Sequence, residues 1–156
     1  MLPHFSGRAI RVELQATLGP HWAATHIPRR LIQLDQDLLR TPGEFERILI
    51  HELFHFVWVR LGNPGRRSWE EILKREILRR ARGELGWSAE WRKRKLSTSD
   101  VRARTIEWRH YACESFCDTA AWLYAGGRHP EFTLAQSARA QRKKWLEDQF
   151  ASGARC

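Results

Sequence analysis

The sequence predicts an α+β protein: a small N-terminal antiparallel sheet packed on a mainly helical body with one buried helix near its middle. Two early stretches alternate apolar and polar side chains, which is the period of a strand with one buried face. Helix start and stop signals recur throughout the rest of the chain. One of the helices they delimit is apolar on nearly every side from Ile48 to Leu61, as expected of a helix buried in a core. With 156 residues, 42% of them apolar and 8 of them Trp, the chain can build one core and is read as a single domain over residues 1–156.

The first strand is expected within Ala9 to Ala16 and the second at Leu31-Ile32-Gln33-Leu34-Asp35. Between them, Gly19-Pro20 and Ile27-Pro28 punctuate a loop that carries His21, Trp22 and His26. Thr41-Pro42-Gly43-Glu44 then offers an N-cap Thr, a Pro at the first helical position and a Glu at the third, a reciprocal capping box. The helix it starts should run to about Leu61, where Gly62, Asn63 and Pro64 stop it. Ser68-Trp69-Glu70-Glu71 repeats the capping signature and opens a charged helix to about Arg82. Gly83 and Gly86 separate that helix from a short helical piece between Ser88 and Lys95. A longer helix is expected from about Asp100 to Tyr124, closed by Gly126-Gly127. A last amphipathic helix spans Thr133 to Phe150, with Leu134, Ala138, Trp145 and Leu146 on its inner face.

The start, Met1 to Ser6, lacks the basic and apolar runs of a signal peptide. No later segment approaches the roughly eighteen apolar residues of a membrane span. Three cysteines are an odd number, and Cys113 and Cys117 sit one helical turn apart. Reduced thiols and a cytoplasmic location follow more simply than a disulfide framework. The net charge of +9 is concentrated in Arg79–Arg82, Arg92–Lys95 and Gln141–Lys144. These runs are interleaved with Glu71, Glu76, Glu84, Glu90, Glu147 and Asp148, so solvated helix faces are favoured over a nucleic-acid-binding surface.

The chemistry is concentrated in His51-Glu52-Leu53-Phe54-His55, the pattern H-E-x-x-H on the buried helix. Residues four apart lie one turn above each other, so both imidazoles can reach one metal ion. The glutamate then stands beside the metal's open position as a general base. A buried hydrogen-bonded cluster without metal is the plainer alternative, but burying three ionisable groups costs several kcal/mol unless each is paired. For a third ligand, the extended pattern H-E-x-x-H-x-x-G-x-x-H is excluded, because Trp58 and Leu61 stand where Gly and His are required. Glu114-Ser115-Phe116-Cys117-Asp118 supplies a carboxylate and, one turn later, a second acid. Glu114 can bind the metal, and Asp118 can accept the free imidazole N–H of a liganding histidine. His110 and Tyr111 lie near Glu114 on the same helix and are candidate donors to an oxyanion.

With H-E-x-x-H on one helix and E-x-x-x-D on a later one, the chain resembles the gluzincin-type zincin metallopeptidases. In particular it is similar to the compact cytosolic zincins of the ImmA/IrrE kind, which cut repressor proteins. The resemblance covers roughly Leu31 to Tyr124. It implies a small sheet over an active-site helix, one zinc ion per chain, a protein or peptide substrate, and hydrolysis of peptide bonds. His51, His55 and Glu114 match the metal positions, Glu52 the general base and Asp118 the supporting acid. Two features depart from the pattern. Phe54 stands where many such enzymes carry Gly, and the long stretch from Phe56 to Cys113 should add helices that cover the cleft.

Two rivals come from other classes. Glu52…His55 and Glu107…His110 are both E-x-x-H, which with Glu44 or Glu114 resembles the ligand set of a di-iron helical bundle. The charge and Trp content also suit a basic nucleic-acid-binding domain with a non-catalytic His cluster.

Overall fold

Four short strands open the described part of the chain, which comprises residues 1–41 and 43–156 of a computed structural model. In order they are β1 (Phe5–Ser6), β2 (Arg11–Gln15), β3 (Ala23–His26) and β4 (Leu31–Asp35), with the 3-10 turn Ile27–Arg29 joining β3 to β4. Six helices follow: α1 (Glu44–Arg60), α2 (Gly62–Leu78), α3 (Trp87–Lys93), α4 (Thr98–Ala103), α5 (Ile106–Ala125) and α6 (Gln136–Gln149). A last short strand, β5 (Ala154–Arg155), pairs in parallel with β1 and ties the two ends of the chain together. The architecture is α+β, with a small N-terminal sheet packed on a helical part.

The sheet has the order β2-β4-β3 and is mixed rather than antiparallel throughout. β3 runs antiparallel to β4, whereas β2 runs parallel to it with Arg11 opposite Leu31 and Gln15 opposite Asp35. The reason is β3 itself, which lies where a loop was expected. Its presence makes the chain reverse twice between β2 and β4 instead of once. Leu31, Ile32 and Leu34 of β4 are buried, while Val12 and Leu14 of β2 are about half exposed at 47% and 49%, so the alternation in β2 does not mark a buried face.

α1 carries the motif and lies buried as expected. Its N-terminal bonding falls later than Thr41 and Glu44: Gly43, at φ 87°, donates its N–H to Glu46 Oε2 at 3.1 Å. The Pro expected at the first helical position, Pro42, lies outside the described residues. At the other end, α2 begins almost at once with Pro64 in its first turn, a position that needs no N–H. Ser68 is therefore inside α2 and caps nothing. Arg66 donates to the carbonyls of Trp58 and Val59 and satisfies the end of α1.

The expected long helix from Asp100 is two helices. Arg104 adopts φ 52° between them, and each has its own cap. Ser97 and Asp100 bond reciprocally at the start of α4, and Thr105 accepts from the Trp108 N–H at the start of α5. α5 packs along α1: Phe54, with no exposed surface, meets Phe116 at 5.7 Å and Tyr124 at 5.5 Å between ring centroids. Burying one such aromatic contributes about 1.5–3 kcal/mol, so this seam holds the motif helix against the helix that carries Glu114. α6 buries Leu146 and Ala138 as expected, but also Arg142, which the surrounding run of positive charge disguises. Arg142 donates to Glu76 at 2.6 and 2.9 Å and to Glu84 at 2.7 and 3.0 Å, a fully enclosed ion network. Among the described residues, no helix is long and apolar enough to cross a membrane.

Candidate metal centre

The helical offset of four residues brings the rings of His51 and His55 edge to face, with centroids 5.0 Å apart and planes 74° apart. Opposite them, α5 presents Cys113, Glu114, Cys117 and Asp118, four residues whose spacing covers one face over little more than a turn. His51 Nδ1 donates to Asp118 Oδ1 at 2.8 Å, which leaves Nε2 directed at Glu114, whose Oε2 is 3.4 Å away. A carboxylate on one ring nitrogen fixes the tautomer and aims the other nitrogen, the arrangement that supports a metal-binding imidazole. His51, His55 and Cys117 each offer a donor atom within 4.8 Å of the others, a group that can hold one metal ion. The Glu114 carboxylate lies beside this group, 3.4 Å from His51 Nε2, without being one of the three.

The surroundings hold these groups in place. Asp118 Oδ2 accepts the Ala89 N–H at 3.0 Å, and Glu131 accepts the Trp87 N–H at 2.9 Å. Gly86, before α3, has no side chain with which to cap it, so two distant carboxylates satisfy its first N–H groups instead. Asp118 thereby joins α3, α5 and α1. The Ser88 hydroxyl donates to Glu114 Oε2, and Arg92 donates to Ser88 Oγ at 2.9 Å. Burial works against a charged His51, but Asp118 and Glu114 outweigh it and hold its pKa well above the usual 6.5. Burial likewise opposes ionisation of Glu114, yet His51, His55 and Ser88 keep that carboxyl far below the ordinary range. Cys117 is pushed well up by burial, whereas the Cys117 thiol and His55 bring Cys113 down to about 6 against the cost of its own burial.

No protein family, curated protein or solved structure matches the chain.

Glu52 stands one residue from His51, as the motif requires, and its Oε2 accepts from Thr25 Oγ1 at 2.6 Å. It borders two depressions of about 360 Å³ each. One reaches His51 and Asp118, and the other reaches His55 and Cys113. His51, Glu52, His55, Glu114 and Asp118 are therefore brought together. The two oxyanion candidates are not. Tyr111 is fully buried and donates to Glu84 Oε1 at 2.6 Å in the Arg142 network, and His110 is exposed on α5. The second cluster needed for two irons is not assembled either. Glu107 and His110 are exposed, and Glu44 is bound by Arg47 and His129.

Sequence reasoning missed Thr25, because β3 carried no strand signal. It also treated Cys117 only as a reduced thiol. The signal for Cys117 was its spacing: three residues beyond Glu114 puts it on the same helical face.

Proposed function

We propose that the chain is a zinc-dependent metallopeptidase in which His51, His55 and Glu114 bind one zinc ion and Glu52 is the general base. The observation that carries this reading is Glu114 Oε2 at 3.4 Å from His51 Nε2 while Asp118 bonds His51 Nδ1 at 2.8 Å, beside a His55 whose donor nitrogen lies within 4.8 Å of that of His51. Zinc in such a site leaves a position for water and lowers that water's pKa toward neutrality. Glu114 is preferred to Cys117 as third ligand because its Oε2 lies 3.4 Å from His51 Nε2 and a carboxylate is ionised at neutral pH, whereas the buried thiol must first lose a proton.

The residues of the chain divide the remaining work. Glu52 takes a proton from the attacking water and returns it to the leaving amine, and Thr25 holds the carboxylate in place for both transfers. β3 is the outer strand of its sheet and carries Thr25 against Glu52, so an extended peptide laid along it passes the base. That geometry supports a protein or peptide substrate, and the three free cysteines are consistent with the cytoplasmic location proposed for the chain.

The test compares wild-type and Glu52→Gln protein, each loaded with zinc, on an unfolded protein substrate. Zinc content should be equal in the two, and hydrolysis should fall by at least about 100-fold in the variant, the usual worth of a general base. Equal hydrolysis by both proteins overturns the proposed role of Glu52.

A further inference from the structure

The depression that reaches His51 and Glu52 has two unequal parts. Its inner wall holds charged groups already matched to one another: Arg47 is bound by Glu44 at 2.8 Å and faces Glu131 at 3.5 Å. Glu131 in turn accepts the Trp87 N–H. Among the described residues of that wall, Arg47, Glu131, His51 and Asp118 each face an opposite charge, and the remaining carboxylate, Glu52, is the proposed base and is held by the Thr25 hydroxyl.

The mouth is different. Trp22, just before β3, and Trp87, at the start of α3, line the same depression with 56% and 63% of their surface exposed. Indole rings left this open are costly in water and are the residue type most often found anchoring a bound partner. Trp87 is also held from behind. Its ring stacks on Trp91 at 6.1 Å with planes 18° apart, and Lys95 sits 3.4 Å over the Trp91 ring. A buttressed indole loses little freedom when a ligand packs on it.

We infer that Trp22 and Trp87 form the specificity element of the cleft and receive a bulky aromatic or apolar side chain of a peptide beside the bond presented to Glu52. The inference rests on the peptidase reading for the identity of the occupant. Continuity carries it: the two indoles and the two motif residues line one depression of about 360 Å³, a volume that admits one large side chain with its backbone. The alternative occupant, a stacked nucleobase, is disfavoured because its phosphates would face Glu52, Asp118 and Glu131 on the lining, where Arg47 is already bound by Glu44.

The test reads binding without turnover. Zinc-loaded Glu52→Gln protein is titrated with a labelled short Ser/Ala peptide carrying one central Phe, and with its counterpart carrying Ala, by fluorescence anisotropy. The Phe peptide should bind at least about tenfold more tightly, the scale of one well-packed aromatic contact with its burial. Trp87→Ala and Trp22→Ala should each remove most of that preference, while Leu78→Ala, an exposed apolar residue of α2 that does not line this depression, should leave it intact. Equal affinity for the two peptides, no measurable binding of either, or a preference retained in both Trp variants overturns the inference. So does displacement of the Phe peptide by a single-stranded oligonucleotide in a Trp87-dependent manner. If the preference is present but wild-type protein hydrolyses neither peptide nor protein, the docking element stands and the peptidase reading falls.

Discussion

Replacing Gly86 with alanine puts a methyl group against the carboxylate that orients His51. A Cβ built on Gly86 comes within 3.0 Å of Asp118 Cγ and both of its oxygens, a separation that Cβ atoms essentially never show. The backbone at Gly86 is extended, with φ −177°, so alanine is not strained there and the effect is one of space alone. Asp118 is the part that must move, and it holds two bonds: His51 Nδ1 at 2.8 Å and the Ala89 N–H at 3.0 Å. Overpacking of this kind costs about 1–3 kcal/mol. In a chain of this size each kcal/mol moves Tm by about 2–4 °C, so the melting point should fall by about 2–12 °C. Freeing the imidazole from its carboxylate should weaken zinc binding by about 10–100-fold. Thermal melts followed by circular dichroism and zinc competition against a chromogenic chelator measure the two effects. A Gly86→Ala protein with wild-type melting and wild-type zinc affinity would refute the reasoning, because Asp118 would then be doing neither job.

The other expectations address the ligands and the buried charge. Glu114→Gln should lower zinc affinity far more than Cys117→Ala does, as the same chelator competition can show; the reverse order assigns the third position to Cys117. Arg142→Met leaves Glu76 buried without its ion partner and Glu84 with only Lys93 and Tyr111, and should cost about 3–5 kcal/mol, read by urea unfolding. The Glu84 carboxyl is pushed up by burial but held below its usual 4.5 by Arg142, Lys93 and Tyr111. A depressed carboxyl stabilises the fold at pH values above the unfolded pKa and loses that contribution as pH falls through the folded one, so stability should be flat near neutrality and decline below about pH 4.5. Glu70 behaves alike: burial raises its pKa, and bonds from Arg104 and Trp108 outweigh it. Arg104→Met should therefore move the onset of acid unfolding, followed by tryptophan fluorescence, to higher pH.

Local signals in the chain were enough to locate α1 and the motif it carries. A nearly all-apolar helix must be buried, and the polar residues within it, His51, Glu52 and His55, must then find partners. The partner carboxylates were legible for a related reason. Glu114 and Asp118 lie four apart, and helical spacing puts them on one face. What local signals left out was decided by tertiary contact. Ala23-Ala24-Thr25-His26 has little strand propensity and becomes β3 by pairing with β4, and with it went the direction of β2 and the role of Thr25. Tyr111 is adjacent in sequence to His110 but faces the opposite way, into a polar core whose centre, Arg142, looks from the sequence like one more surface cation. The break at Arg104 did have a readable sign, since Thr105 is an N-cap residue type and caps the start of α5.

Whether His51 and His55 share one metal ion in a buried site is tested most directly by a zinc titration of the purified protein alongside a His55→Ala variant. Bound metal is counted by elemental analysis after removal of free ions. About one zinc per wild-type chain and almost none per variant chain is the expected result. Wild-type protein that retains no zinc, or a variant that retains as much as wild type, would contradict the account.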